Sequence, residues 1–131
     1  NCTKENIENM RNFFNSIKLN EIKIAWEPRG NWINNLDKIK TLCKELNLIH
    51  ITDPLKHEIA LINEVQYFRL HGLNSKKEVN YSYKYSIEDL KRLNDKIKAL
   101  SKFNVNEVYV LFNNLSMNKD AENFMKIALE N

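Results

Sequence analysis

Glu27 and Arg29, then Asp53, then Arg69 and His71, then Asn113 and Asn114 are the residues of this chain whose types could do chemistry together. A carboxylate and an imidazole can take up and release protons near neutral pH. Guanidinium groups grip phosphate or carboxylate through paired N–H donors, and Asn amides orient a ligand by donating and accepting at once. Glu27 and His71 are therefore the candidate catalytic pair. Arg29, Trp32, Asp53, Arg69, Tyr83, Asn113 and Asn114 are the candidate ligand-binding residues. A plainer reading stands beside this one: Glu27 would be the ion-pair partner that keeps Arg69 satisfied inside a sheet. Glu27, Asp53 and His71 are also of the kinds that hold Zn or Mn. The chain has no His-x-x-His or His-Glu-x-x-His spacing, so no metal site is assigned and no cofactor is named.

The elements that would position these groups alternate along the chain. Val65 to His71 puts Phe68 and Leu70 on one side and Tyr67, Arg69 and His71 on the other, the period of a strand with two unlike faces; Gly72 ends it. Before it come a helix capped by Thr3 to about Ser16, a strand over 21–27, a helix from Asn31 or Asn34 to about Asn47, and a strand over 48–53 closed by Pro54. After it come a polar loop over 72–85 and a helix to about Lys102, which Ser86 and Asp89 open as a capping box. A strand over 107–112 and a last helix over about 119–130 follow. Helices and strands in alternation predict one α/β domain with four parallel strands.

One face of that sheet should be apolar and carry the helices: Ile22, Ile24, Trp26, Ile49, Ile51, Phe68, Leu70, Val108, Val110 and Phe112. Lys23, Ala25, Glu27, His50, Thr52, Tyr67, Arg69, His71, Tyr109, Leu111 and Asn113 would share the other, as in a barrel lumen or open cleft. All four strands then end in polar residues on one rim, where α/β folds bind their ligands.

Composition narrows the classes. With 131 residues, 43% hydrophobic and 28% charged, and only two Gly and two Pro, the chain is long enough for one cored domain and is neither a linker nor a disordered segment. The net charge of +3 is spread along helix faces, for example at Lys38, Lys40, Lys44, Lys91 and Lys96, which reads as solvated surface. The loop with Lys76, Lys77, Tyr81, Tyr83 and Tyr85 mixes basic and aromatic residues, so it is either a lid on the rim or a surface for single-stranded nucleic acid. Cys2 and Cys43 lack metal spacing, and a buried free Cys43 points to the cytoplasm. No apolar run has the roughly 20 residues that span a bilayer, and Asn1 in place of Met is what a processed or excised piece of a longer chain would show.

Four motifs in order, Trp26-Glu27-Pro28-Arg29-Gly30 with Trp32, Phe68-Arg69-Leu70-His71-Gly72, Tyr81/Tyr83/Tyr85 running into Ser86-Ile87-Glu88-Asp89-Leu90, and 108–114 followed by Ala121 and Asn123, resemble the YecE-like family, domain of unknown function 72. The resemblance runs from about Glu21 to the C-terminus. It implies the C-terminal half of a TIM-type (β/α) barrel and no particular reaction. The family's N-terminal motifs, a Gly-rich opening with Trp and a Glu-x-Asn segment before Phe-Tyr, are absent. Four strands cannot close an eight-stranded barrel, so a homodimer or a complementary N-terminal half chain is expected as partner. The function expected is that of a barrel-rim enzyme, or half of its site, acting on an anionic and phosphate-bearing ligand; the alternative is a non-catalytic module for nucleic acid or a protein.

Overall fold

A computed structural model describes residues 1–18, 20–75 and 78–130. Helix α1 (Lys4–Ser16) starts at Thr3, whose hydroxyl accepts the Asn6 amide and so satisfies one of the free N–H groups of the first turn. Its Ile7, Met10 and Phe14 are only partly buried, and Arg11 ties it to α2 (Leu36–Glu45) by two hydrogen bonds to Glu45, of 3.0 and 3.3 Å. Between them lie β1 (Ile24–Trp26) and a single-turn 3-10 helix (Gly30–Asn34). The expected helix from 31–34 onward is thus split at Asn35, with α2 following.

Four strands, β1, β2 (Leu48–Thr52), β3 (Val65–Leu70) and β4 (Glu107–Phe112), form one open parallel sheet in sequence order. That is the arrangement of half of a TIM-type barrel. Helix α3 (Ile87–Lys98) opens on the expected capping box, with the Ser86 hydroxyl accepting the Asp89 amide and the Asp89 carboxylate accepting the Ser86 amide. Helix α4 (Met117–Leu129) closes the chain.

The outer face of the sheet packs on these helices. Leu48, Ile24 and Trp26 meet Ile39, Leu42 and Cys43 of α2, while Leu70 and Phe112 meet Leu90 and Leu93 of α3 and Ile127 of α4. Phe68, on the same face of β3 as Leu70, has no exposed surface. Burial also pushes the Cys43 thiol up to about 12, so it packs as an inert apolar group.

The expected faces hold for β3, β4 and β1, except that β1 is shorter than the expected 21–27 and leaves Ile22 outside it and 69% exposed; they are reversed for β2. Pairing places Ala25 beside Ile49, Ile51 beside Tyr67, and Thr52 beside Phe68. Neighbours in a parallel register share a face, so Ile49 and Ile51 lie on the inner side, and His50 and Thr52 lie against the helices. Polarity misassigned this strand because His50 is satisfied where it is buried: its Nδ1 accepts the Ala60 amide at 3.2 Å. Burial then lowers the His50 pKa to about 4, and His57 nearby adds to the shift, so the ring is neutral at pH 7.

Candidate functional site

The tips of β1 and β3 converge on one carboxylate. Glu27 Oε2 accepts from Arg69 at 2.7 Å, and Oε1 accepts from Arg29 at 3.0 Å and faces His71 Nε2 at 2.7 Å. Asn113, just past β4, sets its amide nitrogen 3.0 Å from His71 Nδ1. With that amide donating, Nδ1 is an acceptor and the imidazole proton sits on Nε2, pointing at Glu27. His71 is buried and Glu27 nearly so, at 8% and 18% side-chain exposure, whereas Arg29 and Arg69 are 45% and 36% exposed. The cluster therefore has a dry centre and two wet guanidinium arms.

Burial works against charge on Glu27, but the hydrogen bonds from His71, Arg69 and Arg29 outweigh it and hold the carboxyl below its ordinary value. Asp53 behaves the other way. Its burial raises the pKa although Oδ2 accepts the His71 amide at 3.2 Å and Oδ1 the Leu55 amide at 3.0 Å. Asp53 thus anchors the backbone under His71 and turns the chain after β2. Glu27 and Arg29 border a cavity of about 40 Å³, room for water, together with Asp53, Lys56, His57 and His71.

The turn after β3 holds His71 in place. Its carbonyl accepts the Asn80 amide at 2.7 Å, and the Tyr85 hydroxyl accepts the Gly72 amide at 2.7 Å. Gly72 has φ +77°, and a Cβ there would run into the Asn80 carbonyl and the Tyr83 side chain, so this position requires glycine. Tyr85 as a positioning residue was not foreseen. The only signal for it was a buried-type aromatic carrying a hydroxyl just before a helix cap.

Other candidates lie elsewhere. Trp32 is buried edge-on against Trp26, with ring centroids 5.0 Å apart, in the core under α1 and α2. Asn114 points away from the cluster, donating to the Tyr83 carbonyl and to Asp120, both at 2.6 Å. Tyr83 donates to Asp89 at 2.7 Å, which together with burial pushes its phenol up to about 12. Its ring stacks edge-on with Tyr85, and of the loop tyrosines Tyr81 alone is largely exposed. Lys76 and Lys77 lie outside the described residues. No three His, Cys, Asp or Glu side chains among the described residues are grouped to hold a metal ion. Nor is any described helix long and apolar enough to cross a membrane.

Comparison with known proteins supports the fold. A DUF72 family protein from Enterococcus faecalis has a crystal structure that matches with a TM-score of 0.76 at 22% identity, covering 98% of this chain and 54% of that one. One from Thermotoga maritima matches with a TM-score of 0.70 at 24% identity, over 98% of this chain and 53% of that one. The chain therefore spans about half the length of the solved relatives it matches. No curated protein matches it. The family's sequence model covers residues 1–129, taking in α1 as well as the strand-tip motifs, and the chain belongs to that family, described as protein of unknown function DUF72.

Proposed function

We propose that the strand-tip cluster is an anion-binding half-site of a barrel-rim enzyme. Arg29 and Arg69 would hold an anionic, phosphate-bearing ligand, Glu27 and His71 would move protons beside it, and Asn113 would fix the imidazole. One observation carries this reading: two guanidinium groups share one carboxylate, and among the described residues no second carboxylate pairs with either. Two guanidiniums against one carboxylate leave one positive charge, on side chains that are partly exposed.

The competing account treats the same residues as an ion pair that only holds the sheet together. Arg69→Ala separates the two. As an anion arm, its loss changes stability by less than about 1 kcal/mol because the group is partly exposed, and it removes the rise in melting temperature that millimolar phosphate causes in the wild type. As a purely structural partner, Arg69→Ala should destabilise the fold and Glu27→Gln in the same chain should restore it, with phosphate changing neither. Binding of single-stranded nucleic acid that weakens steeply with salt would instead favour the non-catalytic module.

The same reading extends to assembly. The sheet has free edges at β1 and β4, and the inner face exposes Tyr109 and Leu111. Four further parallel strands, from a second copy or from a complementary N-terminal half chain, would cover both and bring more residues to the rim. Light scattering at micromolar concentration should show a dimer if the second copy is the partner; a stable monomer leaves the complementary chain.

A further inference from the structure

We propose that Glu27 makes this site selective for an oxyanion that carries its own proton, hydrogen phosphate, over fully ionised sulfate. The inference rests on the anion-site reading and assigns Glu27 as its specificity-determining residue. The argument starts from what an anion would meet on arrival. To engage the free donors of both Arg29 and Arg69 it must lie beside the Glu27 carboxylate, because both guanidiniums are already drawn to that group, at 3.0 and 2.7 Å.

Glu27 is ionised at neutral pH, held so by donors from β3 and from its own loop, and an ionised carboxylate can only accept hydrogen bonds. An oxygen of sulfate brought against it is an acceptor facing an acceptor, both negative. A P–OH group in the same place donates to Glu27 and turns that repulsion into a charge-assisted hydrogen bond.

Charge points the same way for one of the two protonated forms present at pH 7. Arg29, Arg69 and Glu27 sum to one positive charge, which dihydrogen phosphate balances and sulfate overshoots; the hydrogen phosphate dianion carries the charge of sulfate and differs from it only in its donor. The other charged side chains on the cavity beside Glu27 are mixed in sign, Lys56 against Asp53, Glu58 and Glu78. They offer no second cationic patch that would favour the dianion.

Sites that hydrogen-bond a ligand's donor reject analogues lacking it by large factors when buried. This rim is half open, so about tenfold is expected. Calorimetric titration of the whole chain at pH 7 with inorganic phosphate and with sulfate, at matched ionic strength, measures the ratio. Wild type should bind phosphate about tenfold tighter than sulfate. Glu27→Gln, whose amide can donate as well as accept, should bring the two within about twofold by gaining affinity for sulfate.

Arsenate gives a test that needs no variant, since it carries a proton like phosphate and should follow it. Equal affinity of wild type for phosphate and sulfate would overturn the selectivity while leaving an anion site in place, as would undiminished discrimination in a folded Glu27→Gln. Binding of neither anion would overturn the anion-site reading itself, and this inference with it.

Discussion

The two faces of the sheet share one backbone and end in opposite states. On the outer face Phe68, Leu48 and Leu70 are fully buried under helices of the same chain. On the inner face Tyr67 and Tyr109 stack on each other at 6.0 Å, and Tyr109 and Leu111 remain 49% and 39% exposed. The outer face is finished by local sequence, since each strand is followed or preceded by an amphipathic helix that packs back on it. The inner face is left to whatever lies opposite. Where the two meet, at the strand tips, Glu27, Arg69, His71 and Asn113 come together from the ends of β1, β3 and β4.

Truncating Phe68 to Ala should be the most damaging of the face-specific changes, costing about 3–5 kcal/mol in urea unfolding because it opens a cavity at a fully buried position. Leu111→Ala on the inner face should cost less than about 1 kcal/mol in the isolated chain. Comparable losses at the two positions would mean that the inner face is already covered, and the contrast between faces would fail.

His50 sharpens the contrast, since it is a titratable group on the dry side. Its folded pKa of about 4 lies below the ordinary 6.5, so as pH falls through 6.5 the unfolded chain takes up a proton that the folded chain refuses. Its contribution is complete above pH 6.5 and is lost as pH falls to about 4, amounting to about 3 kcal/mol. Unfolding free energies measured across that range should fall in the wild type and flatten in His50→Asn. A wild type as stable at pH 4.5 as at pH 7 would place His50 in water.

Gly72→Ala addresses the junction between the faces. The strain of a positive φ and the clash with the Asn80 carbonyl should cost about 1–3 kcal/mol and pull His71 away from Glu27. The second effect should appear in NMR spectra as displaced ring resonances of His71.

Much of this was legible in the residues. Period-two alternation in 65–71 and 107–112 placed β3 and β4, because a strand with one wet and one dry face writes its register into its polarity. The capping pair Ser86 and Asp89 was readable for a similar reason, since both partners lie within one helical turn. Residues 48–52 resisted the same logic. Both sides of β2 are largely covered, so apolar and polar residues no longer mark inside and outside, and His50 is satisfied by an amide ten residues away.

At the rim, Glu27, Arg29, Arg69, His71 and Asn113 were found from their place at strand ends, and the structure brings all five together. Trp32 and Asn114 share that sequence signal and point elsewhere. Rim position is set by the strand, but direction is set by packing with α2 and by Asp120 of α4.

The central claim is that the rim is an anion site, and a phosphate titration followed by NMR tests it most directly. Saturable shifts at the side-chain N–H groups of Arg29 and Arg69 and at the Gly72 amide, weakened in Arg69→Ala, are the predicted result. No saturable change at these groups up to millimolar phosphate, or changes confined to lysines on the helix surfaces, would contradict it.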